Sequence, residues 1–426
     1  MSGLVAVFAV GYAYGITRAN LPETYSHFIF DSGVLGLYAT QLFRRLSPLN
    51  ESKVSPLRPW FEFLVAWPLL LFLIPIQDRL VQLVGLRGNI FFLPFLLFGA
   101  RLDGDDRHRL ALWIAGLNLA AFAFAGAEYL MGLERFFPHN RMTELIYISK
   151  DIAGHTAFRI PSIFANAHAY ASTMAITLPL LIGSVVQNRK RDRHSYLLVA
   201  AIVSSLLGIL MTGTRTHFVV AGIILIVATF SLRTRVAYAL GWLILLGGIG
   251  WGISGEDRLQ RFLSLSDTDA VAERVAVSVN MSLVDAAQQY PMGNGLGGGG
   301  TSIPYFLQDR IKNPVVLENE YARIMLEQGI LGLVIWLAFI FWLLTRRDNW
   351  QTHDPWHVGR RLAWCACASY FAASVVGTGM LTAVPFTSLL LLSAGWIGAR
   401  QTEKVEERHF AGIDDFHSYS MGSELL

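Results

Sequence analysis

The chain of 426 residues is 53% hydrophobic and only 15% charged, with a positive mean hydropathy, a balance that excludes a soluble globular protein of this size. Its formal net charge of +3 gives no basis for a nucleic-acid partner. The expected fold class is all-α, a polytopic integral membrane protein.

Apolar runs approaching the roughly 17 to 25 residues that cross a bilayer core recur along the chain and predict about twelve transmembrane helices. They fall at 1–16, 28–43, 61–76, 88–100, 109–130, 164–186, 195–211, 217–232, 235–253, 323–345, 362–379 and 381–399. The first run has no basic n-region and no small-residue cleavage site, so it reads as a span and not as a removed signal peptide. Alternate loops carry Arg44, Arg45, Lys53 and Arg58, then Arg101, Arg107 and Arg109, then Arg189, Lys190, Arg191 and Arg193, then Arg233 and Arg235, then Arg346, Arg347, Arg360 and Arg361. By the positive-inside rule these loops are cytoplasmic. Both termini then face the cytoplasm, and the long segments 131–163 and 254–322 face outward.

The organisation that follows is 1–253 as transmembrane helices one to nine, 254–322 as a large late outer loop, 323–399 as the last three helices, and 400–426 as a polar cytoplasmic tail. Within the outer loop, Asp269 to Pro291 has helical spacing and no internal breaker, and predicts an amphipathic helix ended by Pro291. Six glycines follow among residues 293 to 300. No strand precedes them and no Walker lysine follows, so they predict a flexible turn, not a dinucleotide loop. Cys365 and Cys367 lie within an apolar run and read as buried thiols. Asp267 and Asp269 form a D-x-D pair on a polar loop and read as a helix start.

Chemistry in such a chain belongs to ionisable residues at the ends of spans or inside them, where an uncompensated charge costs at least a few kcal/mol. Arg87, Arg159, Arg215 and Arg323 all come out on the outer side. Guanidinium groups hold phosphate through paired, charge-assisted hydrogen bonds, so four of them at one boundary suit a lipid-linked diphosphate. Glu320, Arg323 and Glu327 share one helix face at 100° per residue. An i, i+3 pair and the helix dipole account for Glu320, but not for Glu327, nearly two turns deep, or for Glu318 just before the helix. A carboxylate near cationic groups is a candidate general base for an attacking hydroxyl.

Three stretches resemble the O-antigen ligase and polymerase superfamily of bacterial polysaccharide assembly. They are TGTRTHFVVAGIILI, ERVAVSVNMSLVDAAQQYPMGNGLG and ENEYARIMLEQGILGLVIWL, in the expected order over roughly residues 211 to 337. The resemblance implies a glycosyltransferase at the outer face of the bacterial inner membrane. Its donor would be a glycan on undecaprenyl diphosphate and its acceptor a sugar hydroxyl, with inversion at the anomeric centre and neither metal nor cofactor. It also implies other polysaccharide-assembly proteins, such as a chain-length regulator, as partners. Arg215 takes the place of the diphosphate-contacting arginine, with Arg159, Arg87 and Arg323 beside it. Glu318 takes that of the catalytic histidine, and Asn319, Glu320 and Tyr321 complete the Asn-x-Tyr segment after it. The Glu at 318 departs from the family pattern and leans the expectation toward a polymerase of O-antigen or exopolysaccharide repeats. A ligase transferring polymer to lipid A-core and a flippase for lipid-linked oligosaccharide stay open as alternatives.

Overall fold

The computed structural model describes residues 1–21, 24–42, 47–148, 158–187, 193–231, 272, 276, 283–300, 303–315, 317, 319–346 and 356–400. Among them no β-strand occurs, as expected of an all-α chain. Among the described residues sixteen α-helices follow in order: α1 (Ser2–Tyr12), α2 (Tyr14–Asn20), α3 (Ile29–Leu42), α4 (Pro48–Val54), α5 (Arg58–Phe72), α6 (Arg79–Ile90), α7 (Pro94–Arg101), α8 (Gly104–Met131), α9 (Glu144–Ile148), α10 (Ala167–Gln187), α11 (Arg193–Met211), α12 (Arg215–Ser231), α13 (Asp285–Gln289), α14 (Glu320–Thr345), α15 (His357–Ala373) and α16 (Phe386–Gly398).

Every predicted span except 235–253, which lies outside the described residues, falls on one or more of these helices. Five stretches are long and apolar enough to cross a membrane: α6 with α7, α8, α10, α11 and α14. Helices α1, α12 and α16 are apolar but shorter. The described residues thus hold five such stretches where the sequence predicts about twelve. Part of the reason is length: the 13, 15 and 17 residues of α16, α5 and α15 rise ~20 to 26 Å at ~1.5 Å per residue, short of a hydrocarbon core of ~30 Å.

The long helices start and stop on local signals. Asp103 caps α8, its side chain accepting from the Asp106 N–H at 2.7 Å, with Asp105 and Asp106 in the first turn where the dipole favours acids. Gly132 at φ 88° ends the same helix, a left-handed geometry that glycine adopts freely. Asn319 caps α14, accepting from the N–H groups of Tyr321 and Ala322.

Helix α10 is the axis of the bundle, buried at every residue from Ala169 to Ser184. It packs on α8, α11, α12, α15 and α16. Polar side chains tie this interior together: Tyr12 donates to Asn118 at 2.6 Å, and Asn118 donates to Thr177 at 3.0 Å and Ser205 at 2.9 Å, linking α1, α8, α10 and α11. Such bonds join helices where no water competes. Helices α7 and α16 cross through paired glycines. A Cβ on Gly99 would lie 1.9 Å from the Leu392 carbonyl oxygen, and one on Gly395 equally close to that of Leu96, so only glycine permits this backbone approach. Leu70, Trp113, Ile226, Phe230 and Phe341 are exposed on the outer surface, an apolar skin of the kind that a bilayer covers.

The glycine-rich segment corrects an expectation. Instead of a flexible turn, residues 294–299 are buried. Cβ atoms on Gly85 and Gly297 would lie 2.1 Å from the Gly297 nitrogen and 2.5 Å from the Val81 carbonyl oxygen respectively. The segment is therefore wedged between α6 and the head of α14, and its glycines serve close approach, with Gly293, Gly295, Gly297 and Gly300 at positive φ. Of the predicted amphipathic helix, the end is seen as α13, followed by Pro291. The rest of Asp269 to Pro291 lies largely outside the described residues, as do Asp267 and the tail beyond residue 400.

Candidate functional site

The head of α14 holds the first of two polar clusters. Glu320, Arg323 and Glu327 share a face, as the spacing predicts, and that face is turned wholly inward: all three are at most 1% exposed. Arg323 donates through Nε to Glu320 at 3.0 Å and through Nη1 to Glu327 at 2.8 Å. Asn89, on α6, donates to Glu327 at 2.7 Å and accepts from Gln328 at 2.8 Å. Glu320 also accepts from the backbone N–H of Gly379 at 2.7 Å, and its own N–H meets the carbonyls of Ser374 and Gly377. Charges taken this far from water persist only when paired and hydrogen-bonded.

This cluster sits above a break. Gly329 has φ 71° and ψ −177° inside α14, so the helix stops after Gln328 and restarts. The backbone groups released there find partners outside the helix: the Ile330 N–H donates to the Pro291 carbonyl at 3.1 Å, and Trp67 Nε1 donates to the Gln328 carbonyl at 2.9 Å. The glycine-rich segment closes over the site, since a Cβ on Gly299 would meet Arg323 at 2.9 Å and Glu327 at 3.0 Å. Non-helical backbone at such depth is stable only when protein surrounds it.

The second cluster forms where α10 and α12 begin. Arg159 Nη1 lies 2.9 Å from His168 Nε2, and His168 is the exposed second residue of α10. The rings of His168 and His217 are 5.8 Å apart, and His217 is again 5.8 Å from Tyr370. His217 stands on the first turn of α12, two residues after Arg215. The Arg215 Nε is shielded from solvent and has no hydrogen-bond partner among the described residues, and so is His217 Nδ1. Buried donors without partners are rare in folded proteins.

Helix direction gives this end of the bundle its electrostatic sign. The His168 and His217 contact joins the starts of α10 and α12. Tyr370, near the end of α15, donates to the Ser172 carbonyl at 3.2 Å, and Tyr321, at the start of α14, donates to the Phe371 carbonyl at 2.7 Å. The N-termini of α10, α12 and α14 thus lie at one end, each adding a partial positive charge. Around Arg215 and Arg159 that field suits an anion.

The predicted arginines divide accordingly. Arg159 joins the contact between His168 and His217, and Arg215 opens α12 two residues before His217. Arg323 is locked between Glu320 and Glu327, and the Glu320 N–H donates to the Ser374 carbonyl just past the end of α15. Arg87 is engaged elsewhere, in a bidentate pair with Asp31 at 2.6 Å through both Nε and Nη2. Asn319 is spent on the cap and Tyr321 on the Phe371 carbonyl, while Glu318 lies outside the described residues. His168 and His217 are not singled out by the sequence reading. Each lies within nine residues of a highlighted arginine and on the opening turn of a predicted span, which is the signal that marks them.

No family model and no curated protein matches the chain.

Proposed function

We propose that the chain is a membrane glycosyltransferase that polymerises oligosaccharide repeats carried on undecaprenyl diphosphate at the outer face of the inner membrane. Arg215 carries this reading. It is a guanidinium at the head of α12, two residues before His217, and its Nε has no hydrogen-bond partner among the described residues, a group able to hold diphosphate through paired hydrogen bonds. In the step proposed, the acceptor hydroxyl oxygen bonds to the anomeric carbon as the bond from that carbon to the diphosphate oxygen breaks. The electron pair leaves on the diphosphate, where Arg215 and Arg159 offset the growing charge. The hydroxyl proton passes to Glu318, the base assigned by resemblance.

The test is complementation of a strain lacking the gene. Arg215→Ala is expected to lower chain extension ~10²- to 10³-fold, and Glu318→Ala to abolish it, leaving single repeats on the carrier at the outer face. Normal chain-length ladders from Arg215→Ala overturn the assignment. If the enzyme is a ligase, the same variants leave long polymer on the carrier.

One observation favours a second reading. The break at Gly329 beside buried charges is the kind of discontinuous helix on which transporters build their sites. A flippase would strand repeats on the cytoplasmic leaflet when Arg323 or Glu327 is altered, which separates it from both transferases.

A further inference from the structure

The cluster at the head of α14 brings two carboxyls to one guanidinium, all of them at most 1% exposed. Arg323 Nη2 lies 2.9 Å from Glu320 Oε1, and Nη1 lies 2.8 Å from Glu327 Oε2. Among the described residues, none of the three meets a further charged group. The elements packed around them present neutral groups. Helix α6 offers Asn89, the link after α15 offers the N–H groups of Gly379 and Leu381, and the glycine-rich segment offers Gly299. Arg87, two residues before Asn89 on α6, is taken up by Asp31. Tyr321, beside Glu320 on α14, donates to the Phe371 carbonyl.

With both acids ionised, the cluster carries one uncompensated negative charge out of reach of water, and a buried ion without a partner is among the costliest things a fold can hold. A proton on one carboxyl removes that charge, as in carboxyl pairs that cannot both ionise. The hydrogen bonds single out the carrier. Glu320 Oε1 accepts from Arg323 and Leu381, Glu320 Oε2 from Gly379, and Glu327 Oε2 from Asn89 and Arg323. Of these four oxygens, Glu327 Oε1 has no hydrogen-bond partner among the described residues, and it lies directly beneath Gly299.

The cover over that oxygen is attached to α14 at the same level. The Asn294 N–H donates to the Leu326 carbonyl at 2.5 Å, and the Ile330 N–H reaches the Pro291 carbonyl across the break at Gly329. We infer that the cluster is a proton-binding site, with one proton on Glu327 Oε1 while the glycine-rich segment is closed over it, and that losing this proton loosens the segment from α14. Two carboxylates on one guanidinium draw in water, and Gly299 is the cover that must yield to admit it. The closed segment binds one proton more than the open one. Closure therefore weakens as pH rises through the titration of the site, by up to ~tenfold per pH unit. The inference rests on neither functional reading given above.

Two measurements on the full chain in nanodiscs test it. Infrared spectra at neutral pH, with isotopically labelled glutamate to assign the bands, are expected to show a protonated carboxylic acid carbonyl that is missing from Glu327→Gln. Hydrogen exchange of the Asn294, Gly298 and Gly300 amides, corrected for the intrinsic rate, is expected to lose about tenfold or more of its protection from neutral to alkaline pH. In Glu327→Gln, whose amide has the shape of the neutral acid, that protection should not change with pH, while the amides of α8 report that the fold is retained. An identical carbonyl band in wild type and variant, or the same loss of protection in both, overturns the inference. Should the variant not fold, the wild type decides alone: the band is expected to bleach over the pH range in which protection falls. No band, or protection that stays level while the band bleaches, overturns the inference.

Discussion

The two polar clusters contain the same residue types and treat them oppositely. At the head of α14, Arg323 is fully buried and ion-paired to both Glu320 and Glu327, with Asn89 donating to Glu327 and the Gly379 N–H to Glu320. At the heads of α10 and α12, Arg159 lies 2.9 Å from a histidine, His168, and Arg215 Nε has no hydrogen-bond partner among the described residues. A guanidinium whose donors are taken up by carboxylates holds the fold together. One whose donors are unspent near the surface has binding capacity left.

Three substitutions sharpen this contrast, in order of their expected effect on stability. Arg323→Ala should be the most damaging, at about 3 to 5 kcal/mol, because it leaves the Glu320 and Glu327 carboxyls without their buried counter-charge; thermal unfolding of the detergent-solubilised protein measures it, and a loss below ~1 kcal/mol would mean the network is not structural. Gly297→Ala should cost less, about 1 to 3 kcal/mol. Its φ is +80° and its Cβ would fall 2.5 Å from the Val81 carbonyl oxygen. The same unfolding assay checks it, and an unchanged midpoint would restore the flexible turn that the composition suggests. Arg215→Ala should move stability by no more than ~0.5 kcal/mol while removing chain extension. A large destabilisation would place Arg215 with Arg323 among the structural arginines and dissolve the comparison.

Much of this was legible in the chain itself. Apolar runs marked the helices because burial in lipid or core requires it at every turn, and the i, i+3 and i, i+4 spacing of Glu320, Arg323 and Glu327 placed them on one face before any fold was known. Arg159 and Arg215 were legible as charges too costly to keep near a membrane without a purpose. Glu128, inside the predicted span 109–130, carried the same signal, but its contact with the Ser162 N–H belongs to the fold alone.

Local periodicity and composition fixed which segments are helices, where charges gather and which face each occupies, since these depend on neighbours within about one turn. Only the tertiary structure decided partners: that Asn89 reaches Glu327 across 238 positions of sequence, that six glycines form a packed wedge, and that two histidines join Arg159 to the start of α12. Hydrogen bonds and close contacts act over ~3 to 4 Å, and which distant residues come within that range is set by how helix ends and breaks are stacked, a property no single stretch of the chain contains.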